Sequence, residues 1–250
     1  MEARVRSPSI ATATTRLNSS NCFAKNTGSE RYSCSAIAGV QLLVFPSLPS
    51  APICSTPISG CQYIDPQASE RASYAWTLEQ ARKDNNAQAV KELEALQPYP
   101  GNFAIEKIDG ERKWVVHYGG LFYRHQDGDF YFHLARISPE YTPADRQAWG
   151  DGSAYTVKIV MPQLAVVSFA RLDRSDCPVF MFEGRHDEVV PSMITAAWLD
   201  KLKAPTKAIV WFENSAHMMM IEEPGQVLAA LLRFVRPCGN PGEKRHAMNR

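Results

Sequence analysis

Apolar and polar positions follow two periods along this chain, and the clearest passage is 177–237. Within it, 178–182 (Pro-Val-Phe-Met-Phe) is an unbroken apolar run of strand length, the pattern of a strand covered on both faces. Gly184-Arg185-His186-Asp187 turns out of that run. Pro191 then opens a helix, as a first-turn proline can, with Ile194, Ala197, Trp198 and Leu202 at helical spacing. Residues 207–212 read as a second buried strand and 213–217 as a loop. After Pro224, the residues Val227, Leu228, Leu231, Leu232 and Val235 form the apolar stripe of a closing helix. Strand, loop, helix, strand, loop, helix predicts the end of a parallel α/β sheet. Both loops follow strands, so Asp187 and His217 are expected at one carboxyl edge, where ligands gather in open α/β sheets.

Upstream the period is helical. Asp65-Pro66 is a cap and first-turn pair, and the run to Lys83 places Tyr74, Leu78 and Ala81 at apolar positions. Asp84-Asn85-Asn86 interrupts it, 87–96 resumes with Val90, Leu93 and Leu96, and Pro98 and Pro100 end the hairpin. Residues 105–172 continue in the same manner, with Trp114, Tyr118, Phe122, Tyr123, Phe130, Tyr131 and Phe132 as a mainly core-forming aromatic set. Thr142-Pro143-Ala144-Asp145 marks a further helix start. Asp127-Gly128-Asp129 reads as a turn and matches no metal loop. A third strand is expected near 55–63.

Residues 1–57 differ in kind. They hold fifteen serines and threonines, three of the six cysteines, five basic residues and two acidic ones, and Pro46, Pro49, Pro52 and Pro57 break up their end. No amphipathic period is sustained, which predicts disorder. A Ser-rich, acid-poor composition is also that of a transit peptide. Residues 239–250 form a polar tail.

Composition narrows the function classes. A net charge of +1 argues against nucleic acid and membrane surfaces as partners, and no apolar run has the length to span a bilayer. The cysteines, at 22, 34, 54, 61, 177 and 238, include no Cys-x-x-Cys pair, so neither a zinc site nor a compact disulfide framework is expected. A reducing, cytoplasmic setting is the default, with no cofactor and no metal.

Two strings carry more. Gly-Arg-His-Asp-Glu-Val-Val-Pro (184–191) after one strand and Glu-Asn-Ser-Ala-His-Met-Met-Met-Ile-Glu-Glu-Pro-Gly (213–225) after the next resemble the C-terminal part of an α/β-hydrolase, in the proline-iminopeptidase-like branch of serine hydrolases. Residues 64–96 resemble the helical lid inserted in that branch. The resemblance covers about 58–238: a lid over about 65–172 and a sheet portion over 177–237. It implies a partial α/β-hydrolase fold and a small-molecule or short-peptide substrate cleaved at an ester or amide bond. Asp187 matches the family's acid and His217 its general base, in the chain order Ser, Asp, His. In such a triad the histidine takes the serine proton while the aspartate fixes its tautomer.

The attacker is missing. No Gly-x-Ser-x-Gly or Gly-x-Cys-x-Gly occurs in the sequence, nor a His-Gly-Gly run of the oxyanion type. His117-Tyr118-Gly119-Gly120 falls in the helical region, after the place expected for the nucleophile, and is not assigned to an oxyanion hole. Ser59 lacks the glycine two residues before it, Cys54 and Cys61 have no local sign of activation, and Ser215 stands too close to His217. The resemblance begins abruptly near Ile58, as a shifted reading frame or wrong start would produce. The reading is therefore a hydrolase by family, inactive as this chain, or else a non-catalytic binding module. A sheet reduced to its last strands is expected to leave the strand at Pro178 with an open edge, a route to self-association.

Overall fold

The computed structural model describes residues 33–37, 56–60, 62–129, 133, 136–175 and 178–235, the first two spans as backbone strands. Four strands, β1 (Ser33–Ile37), β2 (Thr56–Gly60), β3 (Val179–Gly184) and β4 (Lys207–Phe212), form one parallel sheet in the order β1-β2-β3-β4. Between β2 and β3 lie the helices α1 (Pro66–Lys83), α2 (Ala87–Glu94), α3 (Ile105–His117) and α4 (Pro143–Leu164). Helix α5 (Ser192–Lys201) joins β3 to β4. The chain then continues through α6 (Met219–Glu222), α7 (Pro224–Ala230) and a π-helical turn, Leu231–Val235.

Strand β3 is the axis of the sheet. Val179 and Met181 pack on one side with Ile64, Trp198, Leu199 and Leu202. Phe180 and Phe182 pack on the other with Phe212, Met219 and Ala230. Burial on both faces is why its sequence runs apolar without alternation. It is also paired on both sides: Ile58 stands opposite Phe180 from β2, and Gly184 opposite Phe212 from β4. The expectation of an open edge at Pro178 is thereby corrected. Among the described residues the sheet ends at β1 and β4, because the strand expected near 55–63 covers β3 and β1 in turn covers that strand. Strand β1 falls inside the segment read as disordered; its formation rests on pairing with β2. The rest of 1–55 and the tail 239–250 lie outside the described residues.

The helix starts follow local chemistry. Asp65 caps α1 by accepting from the Ala68 amide, and Thr142 and Asp145 form a capping box at α4. Asp127 Oδ1 accepts from the Asp129 amide at 3.1 Å, an Asx turn as expected. Phe130, Tyr131 and Phe132 lie outside the described residues. Two stripes are corrected. On α5 and its C-cap the expected Ile194, Trp198 and Leu202 pack into the core, joined by Ser192, Thr195 and Leu199, while Ala197 is exposed. Thr195 serves there because its hydroxyl donates to the Gln62 carbonyl at 3.1 Å. In the closing helix, Val227, Ala230, Leu231 and Phe234 face the sheet, and Leu228 and Leu232 are exposed. Phe234 selects that face by packing its ring 5.6 Å from Phe180. Among the described residues no helix is long and apolar enough to cross a membrane.

Candidate active site

Parallel pairing of β3 with β4 sends their two following loops out side by side. The Arg185 amide donates to the Phe212 carbonyl at 2.9 Å and the His186 amide to that of Ser215 at 3.0 Å. Gly184 permits this approach: a Cβ there would stand 1.9 Å from the Ala216 carbonyl oxygen. The structure thus brings Asp187 and His217 together, with Asp187 Oδ2 2.9 Å from His217 Nδ1. The other carboxylate oxygen, Oδ1, accepts from the amides of Val189 at 3.0 Å and Val190 at 2.8 Å. Asp187 is 2% exposed and His217 8%. A carboxylate oxygen at Nδ1 can only accept, so the imidazole proton belongs there and the basic lone pair on Nε2.

The helical region holds both loops by their backbones. Gly120 and Leu121 follow α3; the Gly120 carbonyl accepts from the Glu188 amide at 3.2 Å and the Leu121 carbonyl from the His217 amide at 3.1 Å. The Ser73 hydroxyl, on α1, donates to the Glu188 carbonyl. Tyr123 stacks on His186 with ring centroids 3.7 Å apart, 5° from parallel. Three further carboxyls surround the pair. Burial, and secondarily the charge of Asp187, pushes Glu188 up to about 8. The same two causes hold Glu183 well above the carboxylate range. Glu183 is fully buried on β3, and among the described residues neither of its oxygens has a hydrogen bond of good geometry. The nearby Ser192 hydroxyl donates to the Gly184 carbonyl instead. Burial also raises Glu222, against the lowering effect of the amides of Ala216 and Tyr123.

The remaining sequence candidates fall elsewhere. Ser59 lies within β2, opposite Met181, and so is not on a strand-to-helix turn. Cys54 and Cys61 lie outside the described residues. Ser215 is buried and its hydroxyl donates to Glu223 Oε2 at 2.6 Å. The amides of Gly119 and Gly120 close the end of α3 on the carbonyls of Val116 and Val115, which commits them away from an oxyanion. Sequence reasoning missed Glu222, Glu188 and Glu183, and it missed a buried cluster in the helical region. There Arg112 pairs with both Glu70 and Glu111, and the hydroxyls of Tyr63 and Tyr99 donate to Glu70. The signal available for Glu222 was an acidic pair five residues after the histidine.

No family model matches the chain. The probable aminopeptidase YbaC of Bacillus subtilis (strain 168) is 29% identical over 119 residues, which is 47% of this chain and 37% of that protein. Among solved structures, VinJ superposes with a TM-score of 0.56 at 15% identity, covering 92% of this chain and 73% of that one. Proline iminopeptidase of Mycobacterium smegmatis gives 0.56 at 15% identity over 91% and 72%. The esterase EaEST of Exiguobacterium antarcticum gives 0.56 at 10% over 94% and 76%. Asp187 and His217 thus meet at the carboxyl edge of a parallel sheet, and the chain has the α/β-hydrolase fold, with proline iminopeptidase among the structures it superposes on.

Proposed function

We propose that this chain carries the acid and base of a serine hydrolase of the aminopeptidase-like kind, acting on ester or amide bonds of small substrates, and that as it stands it does not turn them over. The observation that carries the reading is Asp187 Oδ2 on His217 Nδ1 at 2.9 Å, with Asp187 Oδ1 pinned by two backbone amides. In the reaction a serine oxygen would attack the substrate carbonyl carbon while its proton passes to His217 Nε2. The imidazolium so formed, stabilised by Asp187, would return that proton to the departing amine or alcohol. Water would then release the acyl group by the same route. Without a nucleophile the pair has no proton to take from an attacking atom, which is why the chain itself is read as inactive.

The helical region would serve as the lid that shapes the pocket. A second, non-catalytic reading as a binding module draws on α4, where Trp149 and Tyr155 are 42% and 62% exposed. Labelling with a fluorophosphonate probe, followed by intact mass and peptide mapping, decides between activity and inactivity. No adduct on folded chain is the expected result. A single serine adduct that disappears in His217→Ala would make this a working hydrolase and overturn the inactive reading.

A further inference from the structure

We infer that Glu222 is a positioning residue that fixes His217 for Asp187 by tying the histidine loop to the turn after α3. The carboxyl group of Glu222 spans the two segments. Its Oε1 accepts from the Tyr123 amide at 2.6 Å and its Oε2 from the Ala216 amide at 2.9 Å. Ala216 immediately precedes the histidine. Tyr123 lies two residues after Leu121, whose carbonyl accepts from the His217 amide. One side chain therefore closes a ring of three hydrogen bonds around the histidine backbone, and both of its oxygens are used. Its neighbour Glu223 secures the outer part of the same loop, accepting from the Asn214 amide at 3.0 Å and the Ser215 hydroxyl at 2.6 Å. The titratable groups facing Glu222 are His125 and Glu223. The site needs such a tie because 213–217 is a loop, and a small displacement of a catalytic group from its geometry costs far more in rate than in stability.

The inference rests on the Asp187–His217 reading, so its test separates the two. Imidazole proton and nitrogen magnetic resonance on the full chain reports the proton on His217 Nδ1 and its exchange with solvent. Glu222→Gln keeps the shape but sets an N–H against one of the two backbone amides; Glu222→Ala removes both acceptors. Exchange of the Nδ1 proton is expected to quicken roughly tenfold in Glu222→Gln, on the scale of one charge-assisted hydrogen bond, while the fold persists. Glu222→Ala is expected to show a larger effect, and Glu222→Gln decides if it does not fold. Unchanged exchange in Glu222→Gln, even with a lowered melting temperature, would assign Glu222 to stability alone and overturn the inference. Asp187→Asn is the separate control. An imidazole signal indifferent to Asp187→Asn, or a wild-type proton found on Nε2, would overturn the pair itself and the inference with it.

Discussion

The Ser73 hydroxyl lies between two acceptors, the Glu188 carbonyl and Glu111 Oε1, the latter at 2.8 Å. One hydroxyl proton can serve only one of them. Burial pushes Glu111 up, despite the guanidinium of Arg112 beside it. The hydroxyl thus links a buried carboxyl and the backbone of the acid loop in one hydrogen-bonded chain. Ser73→Ala should break this chain beside the acid loop at a cost of about 1–3 kcal/mol, read from urea unfolding. A change below about 0.5 kcal/mol would show that the hydroxyl bridges nothing of consequence.

Arg112 is the cation that meets both buried carboxyls, Glu70 and Glu111, among the described residues. Removing it leaves two acids and no compensating charge. Arg112→Met is expected to lower stability by about 3–5 kcal/mol, the range for one partner taken from a buried pair. The triple change Arg112→Met, Glu70→Gln, Glu111→Gln should recover part of that loss. Equal stability of the single and triple variants in calorimetry would mean that the acids do not need the arginine.

Gly184→Ala tests the close approach of the loops. Its Cβ would meet backbone, the Ala216 carbonyl, which cannot swing aside as a side chain could. Loss of soluble folded chain, or destabilisation of about 3 kcal/mol or more, is expected. A normal melting curve would mean that the contact between the end of β3 and the histidine loop relaxes freely.

Stability should fall as pH rises from about 4.5 to about 8. Glu188 has its folded-state value raised to about 8 from 4.5, so within that window the folded chain binds a proton that the unfolded chain has released. Unfolding then becomes more favourable with each step upward in pH. Glu183 and Glu111, both raised chiefly by burial, act in the same direction. Glu188→Gln should flatten the slope of melting temperature against pH across that window. A slope identical to wild type would place the proton elsewhere.

The elements around the site were legible because each announces itself locally. A continuous apolar run of strand length followed at once by a glycine turn reads as a strand covered on both faces, and β3 is one. Asp65-Pro66 and Thr142-Pro143 mark helix starts by hydrogen bonds within four residues. That Asp187 and His217 share one sheet edge was legible because each sits in a loop after a strand, while their roles as acid and base came from the family resemblance alone. What could not be read was polar residues turned inward. Glu70, Glu111 and Arg112 have the helical spacing of a solvated face, and their burial depends on partners on another helix. The Leu228 and Leu232 error has the same origin: a helical pattern offers adjacent columns, and only the sheet opposite chooses between them. Strand β1 has no periodic signal of its own and exists through its neighbour.

The turn after α3 is joined by main-chain hydrogen bonds to the loops of both Asp187 and His217. Such bonds depend on backbone position, and two glycines hold it: Gly119 has φ +83°, and a Cβ at Gly120 would stand 2.7 Å from Val115 Cγ1 and 2.9 Å from Glu188 Cβ. A one-residue insertion or deletion there would shift the carbonyls of Gly120 and Leu121 out of line with both partners at once. The turn after α3 and the two loops are therefore coupled through their backbones. A chimera that exchanges the helical region while keeping its own acid and histidine loops would have to preserve both the length of that turn and its two glycines.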